Sequence, residues 1–166
     1  VHQEAGPRQT ELLLDNIPEE LRRRPQWVVW KLEQRDGKPT KIPMRPDGKG
    51  KASTTDPATW GTIDQALAAA QRHNFAGIGF VFMAEDPYTG IDLDKCRDPE
   101  TGELADWATE IVRMFPDAYL EASPSGTGVH IITRGVAPHN GKVSYKDGAV
   151  EIYDRARYFT VSGVAL

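Results

Sequence analysis

The sequence predicts an α+β fold, and three observations predict it. Short apolar runs such as Ile78–Phe82 and Ala149–Tyr153 are bounded by Gly, Pro, Asn and Asp, the mark of strands between turns. Two longer segments carry apolar residues at helical spacing, about Ile63–His73 and Glu103–Phe115. The 166 residues are enough for one core, or for two small lobes around a cleft.

Taken in order, residues 1–10 (VHQEAGPRQT) read as a flexible lead-in, and 11–166 as one domain. Pro18 opens a short helix that Arg22, Arg23 and Arg24 close, where cations suit the helix C-terminus. QWVVW is a strand whose Trp27 and Trp30 point to opposite faces, so at least one belongs to the core. GKPTKIPM is a second strand, with Lys41 in its extended part, and GKGKAST, with Lys51, is a loop. Trp60 follows an Asp-Pro turn and packs at the entrance of the alanine-rich helix 63–73. Strands Ile78–Phe82 and Gly90–Asp94 flank the turn DPYTG. The next helix places Trp107, Ile111 and Met114 toward the core. A hairpin follows, Tyr119–Ala122 and Val129–Arg134, with PSGTG as its turn. Lys142 and Lys146 lie on the loop before the last two strands, about Ala149–Tyr153 and Tyr158–Ser162, with a turn at Asp147-Gly148.

Three segments carry chemistry. In GIDLDKC, Asp92 and Asp94 stand two apart on a strand and share a face, while Ile91 and Leu93 take the other. Adjacent carboxylates repel and raise each other's pKa, and a divalent cation relieves that repulsion. The competing reading is a solvated acidic strand. In SPSGTGVHII, Gly126 and Gly128 allow a turn whose backbone N–H groups can cradle phosphate. Ser125 and Thr127 add hydroxyls there, and His130 an imidazole. An ordinary Gly-rich hairpin turn is the alternative; no Lys-Ser/Thr pair follows the glycines, so it is not a P-loop. In KDGAVEIYDRARYF, Glu151 shares a face with Tyr153, and Arg155 and Arg157 follow. Glu151 is a candidate third metal ligand, against a plain surface Glu–Arg pair, and Asp154 reads as a turn residue. For Tyr153, Tyr158 and Phe159 strand packing is the default reading, with a sugar contact as the alternative.

Composition narrows the function classes. Cys96 is the single cysteine, which excludes a disulfide framework and a Cys/His zinc cluster. No apolar run reaches membrane-spanning length and no signal peptide is visible, so a cytoplasmic protein without a membrane partner is expected. The net charge of −4 runs against nucleic-acid binding, but its distribution does not. Residues 83–121 hold 3 basic and 11 acidic residues, whereas residues 1–51 hold 11 basic and 8 acidic. The acidic excess therefore surrounds the Asp-x-Asp strand, and basic residues lie in the flanking segments.

GIDLDKC, SPSGTGVHII and AVEIYDRARYFTVSG, in this order, resemble the three catalytic motifs of the archaeo-eukaryotic primase superfamily. The nearest likeness is to the primase-polymerase domains of phages, plasmids and integrated elements. IPEELRRRPQWVVWKLEQRDGKPTKIPM and ASTTDPATWGTIDQAL share it, so the resemblance spans about residues 17–163. It implies an RRM-like catalytic lobe with a mainly antiparallel sheet, a small N-terminal α/β lobe, and the site in the cleft between them. It also implies that the chain is the N-terminal part of a longer protein, with a helicase or a helical domain further on. Asp92, Asp94 and Glu151 would be catalytic and would hold two Mg²⁺ or Mn²⁺ ions. Ser125, Gly126, Thr127, Gly128 and His130 would hold a nucleoside triphosphate, with Arg157 and Lys41 as further phosphate contacts. Lys51, Lys142 and Lys146 are weaker candidates for DNA. The third acidic residue is often Asp in the superfamily, and Glu here keeps Asp154 as a minor alternative. The implied activity is template-directed nucleotidyl transfer on a DNA primer. A two-metal nuclease and a non-catalytic nucleic-acid-binding module with a relict site are the alternatives.

Overall fold

The computed structural model describes residues 14–166. The lead-in expected over 1–10 lies outside the described residues. The elements run α1 (Glu19–Arg22), β1 (Trp27–Arg35), β2 (Lys38–Met44), a 3-10 turn (Pro57–Thr59), α2 (Ile63–Arg72), β3 (Gly77–Phe82) and β4 (Tyr88–Asp94). Then come α3 (Asp106–Arg113), β5 (Tyr119–Ala122), β6 (Val129–Arg134), β7 (Gly141–Tyr145), β8 (Gly148–Tyr153) and β9 (Arg157–Val161). The architecture is α+β, as expected. All strand pairs are antiparallel, in one sheet of order β2-β1-β3-β9 and another of order β5-β6-β4-β8-β7.

Local chemistry sets the ends of these elements. α2 starts at a reciprocal capping box between Thr62 and Gln65. The β1–β2 hairpin turns at Asp36 and Gly37, both with φ near the left-handed region (52° and 75°), which Asp-Gly accommodates. Asp86 ends β3 by accepting the N–H groups of Met83 and Tyr88 and the amide of Gln26. That turn sends β4 away from β3 and into the middle of the second sheet.

Two cores result. In the first, α2 packs Ile63, Ala66 and Ala69 against Trp27, Val29, Ile78 and Phe80. In the second, α3 packs Ala108 and Ile111 against Ile91, Leu93, Val129, Ile131 and Val150. The opposite face of the second sheet turns toward the first sheet. Contact there is close at Gly90, where a Cβ would lie 2.5 Å from Phe82 and 2.6 Å from Phe159.

Several expectations need correction. The segment carrying Lys142 and Lys146 is not a loop: Lys142 lies on edge strand β7, and Lys146 is in the two-residue turn Lys146-Asp147. The last two strands, whose sheets the sequence left open, belong to different ones: β8 lies in the second sheet and β9 crosses to the edge of the first. The first lobe is therefore completed by C-terminal residues. Met114 is 58% exposed, since α3 ends at Arg113 before its next inward position. The expectation that at least one of Trp27 and Trp30 belongs to the core holds, since both are buried. Among the described residues, no helix is long and apolar enough to cross a membrane.

Candidate active site

Strand register brings the separated motifs into one row. Across the second sheet, Glu121 on β5 pairs with His130 on β6, His130 with Asp92 on β4, Asp92 with Glu151 on β8, and Glu151 with Lys142 on β7. In antiparallel pairs, directly opposed residues point to the same face. Five polar side chains thus line one row, on the face turned away from α3. Asp94 lies two residues beyond Asp92 on that face, opposite Ala149. The period-2 alternation that buries Ile91 and Leu93 under α3 is what projects the two aspartates into the cleft.

The electrostatics follow from the crowding. Burial raises the Asp92 pKa; neighbouring Glu151 and Asp94 raise it further, and His130 and Lys41 oppose the shift. His130 Nε2 is 3.7 Å from Asp92 Oδ1. The imidazole is buried and stacks on Phe159 at 5.1 Å between centroids. Glu151 accepts the Tyr153 hydroxyl at 3.1 Å and lies 3.8 Å from Arg157, whose guanidinium covers the Tyr153 ring. Lys41 approaches from β2 with its ammonium 5.6 Å from the Trp30 ring centroid, and the Tyr158 hydroxyl donates to the Lys41 carbonyl. Acidic groups thus occupy the floor, and Lys41 and Arg157 the wall formed by the first sheet.

The Ser-Gly turn between β5 and β6 packs against the end of β4. The N–H groups of Cys96 and Arg97 both donate to the Thr127 carbonyl, and Arg97 Nη1 donates to the Gly126 carbonyl. Gly126 has φ +79°, and a Cβ on Gly128 would lie 2.8 Å from the Leu93 carbonyl. Both glycines are therefore required for this close approach. The N–H groups of Gly126, Thr127 and Gly128 donate to Ser123 and Ser125 within the turn. What the turn offers outward is the hydroxyl pair Ser125 and Thr127, 2.8 Å apart.

Other candidates separate from this group. Asp154 is buried beside β8 and is saturated by Arg155, Asn140 and the Ala137 N–H. It is a turn residue, as its position suggested. Lys146 is bound to Glu110 at 2.6 Å, on the α3 side. Lys142 is exposed, and with Asp94, Ser144, Ala149 and Glu151 it lines a groove of about 490 Å³ leading from the carboxylates to the sheet edge. Lys51 bridges to Met44 beyond β2. The Cys96 thiol is pushed up to about 11 by burial and then by Asp92 and Asp94, so it stays neutral.

Sequence reasoning missed Glu121. It is fully buried and sits between the apolar residues Leu120 and Ala122. Counting back across the hairpin from His130 would have found it, because Ala122 opposes Val129 and Glu121 therefore opposes His130.

Among the described residues, no three His, Cys, Asp or Glu side chains already converge as a metal site. Backbone placement still puts Asp92, Asp94 and Glu151 on one face, and all their donor atoms are oxygen, the set that Mg²⁺ and Mn²⁺ accept. The Asp92 pKa is raised chiefly by burial, with Glu151 and Asp94 adding to it, and a cation beside the carboxylates would favour their charged forms.

No protein-family model matches the chain. The chain is 42% identical over 146 residues to a DNA primase-polymerase of Nitratiruptor phage NrS-1, an alignment covering 86% of this chain. It spans about a fifth of that relative's length, 20%. That similarity supports a primase-polymerase domain of the archaeo-eukaryotic primase superfamily, the family whose motifs the sequence resembles.

Proposed function

We propose that the face bearing Asp92, Asp94, Glu151 and His130 is the centre of a metal-dependent nucleotidyltransferase. It extends a DNA primer on a template from (d)NTPs, in the replication of a phage, plasmid or other mobile element. The observation that carries this reading is the cross-strand row, which assembles all three motifs on one face. The similarity to the phage enzyme supports it.

In the reaction, the primer 3′-oxygen bonds to the α-phosphorus, the bond to pyrophosphate breaks, and the hydroxyl proton passes to water. Asp92, Asp94 and Glu151 would hold Mg²⁺ or Mn²⁺, which would stabilise charge on the attacking and leaving oxygens. Glu151 would release the Tyr153 hydroxyl to do so. Ser125, Thr127 and His130 face the triphosphate, and Lys41 and Arg157 offset its charge from the opposite wall. The groove past Lys142 gives the nucleic acid a path off the carboxylates. In a full-length protein this centre would act with a helicase or a helical domain.

Primer extension tests the reading. Wild-type chain with Mg²⁺ or Mn²⁺ and all nucleotides is expected to lengthen a labelled primer on its template. Asp92→Asn and Asp94→Asn are expected to abolish extension while melting as wild type. Wild-type turnover in both variants would remove the carboxylates from catalysis. Cleavage of labelled DNA without nucleotide would point to a nuclease instead.

A further inference from the structure

Glu121 has no exposed surface, and its carboxylate binds four groups. Oε1 accepts the Tyr119 hydroxyl at 2.9 Å and the Gly163 N–H at 3.1 Å. Oε2 accepts the Ser162 N–H at 3.0 Å and lies 3.0 Å from His130 Nδ1. A buried carboxylate is costly unless paired in this way, and here the pairing reaches three elements. Ser162 and Gly163 follow β9, the strand that carries Phe159 and Arg157, whereas Glu121 and His130 belong to the second sheet.

We propose that Glu121 is a positioning residue for nucleotide binding, which rests on the function proposed above. Its carboxylate ties Nδ1, so the ring presents Nε2 to the cleft beside Asp92. Phe159 clamps the ring face, with an interplanar angle of 29°. The same carboxylate fastens the end of β9, so the wall carrying Arg157 and the floor carrying His130 are held in one register. The imidazole is thereby oriented before the triphosphate arrives, and ordering it costs nothing further on binding.

The test compares Glu121→Gln, Glu121→Asp, Tyr119→Phe and His130→Ala, with a nonhydrolysable nucleoside triphosphate and Mn²⁺ as the probe. Glu121→Gln keeps the size and Glu121→Asp keeps the charge, so one of them serves if the other melts early. Each is expected to weaken triphosphate affinity about tenfold. Neither is expected to weaken it further in the His130→Ala background. The His130 ring resonances of the free protein are expected to shift in both Glu121 variants. Tyr119→Phe removes one bond to Glu121 and none to His130, so it is expected to lower the melting temperature and leave affinity unchanged. Unchanged affinity in the Glu121 variants, or the same loss with His130 absent, would overturn the positioning role. A wild-type domain that binds no triphosphate would overturn the function itself, and the ring resonances would still report whether Glu121 orients His130.

Discussion

At the scale of residues, one carboxylate can serve the reaction while its neighbour serves the fold. Asp92 is crowded by burial and by two acidic neighbours, so its charge is held at a cost. Asp154 is the reverse: chiefly Arg155, then Asn140 and the Ala137 N–H, hold its pKa below the ordinary carboxylate value. A lowered folded-state pKa adds stability above the unfolded value, and that stability is lost as pH falls through the folded value. Asp154→Asn is therefore expected to cost about 1.5–3 kcal/mol at pH 7. The cost should shrink steadily below about pH 4, as urea unfolding at pH 7 and pH 3 would show. A pH-independent loss would mean that the charge of Asp154 is irrelevant. His130→Ala is expected to weaken triphosphate binding more than Mn²⁺ binding, because the ring faces the cleft without belonging to the acidic set. Equal losses by calorimetry would assign His130 to the metal.

At the scale of elements, the site depends on how closely the two sheets approach. Gly90 leaves the gap that Phe82 and Phe159 fill, and Phe159 in turn stacks on His130. Gly90→Ala is expected to destabilise by about 1–3 kcal/mol, the usual cost of overpacking. It should also weaken triphosphate binding, since the displaced Phe159 ring supports the imidazole. A loss of stability with unchanged affinity would show that the stack does not matter. Most elements were legible in the sequence for local reasons. α2 showed its periodic alanines, β4 its alternating aspartates, and the β5–β6 hairpin its Gly-rich turn. β7 was not legible, because GKVSY carries only one aliphatic residue and owes its strand to pairing with β8. The ends of α3 were also misread, since its fixed length depends on packing over β4 and β6 rather than on a cap.

At the scale of the whole molecule, the chain divides differently from its linear order. The first sheet takes its fourth strand from the C-terminal part of the sequence, so the cleft is closed by the second half of the third motif segment. Nothing local in RYFTV says which sheet it joins, so Arg157 was found as a candidate residue while the wall it shares with Phe159 was not. The row of opposed residues was hidden too. Asp92, His130 and Glu151 were each found as motif residues, but their direct opposition is a matter of register between distant strands. Glu121 belonged to no motif and came to light only through that register.

The most direct test of the central claim is the affinity of the chain for a nucleoside triphosphate, measured with Mn²⁺ and again with chelator. The same titration would be run on Asp92→Asn/Asp94→Asn. The wild type is expected to bind at least about tenfold more tightly with the metal than without it, and the double variant to lose that difference. Equal affinities in all four titrations would contradict it.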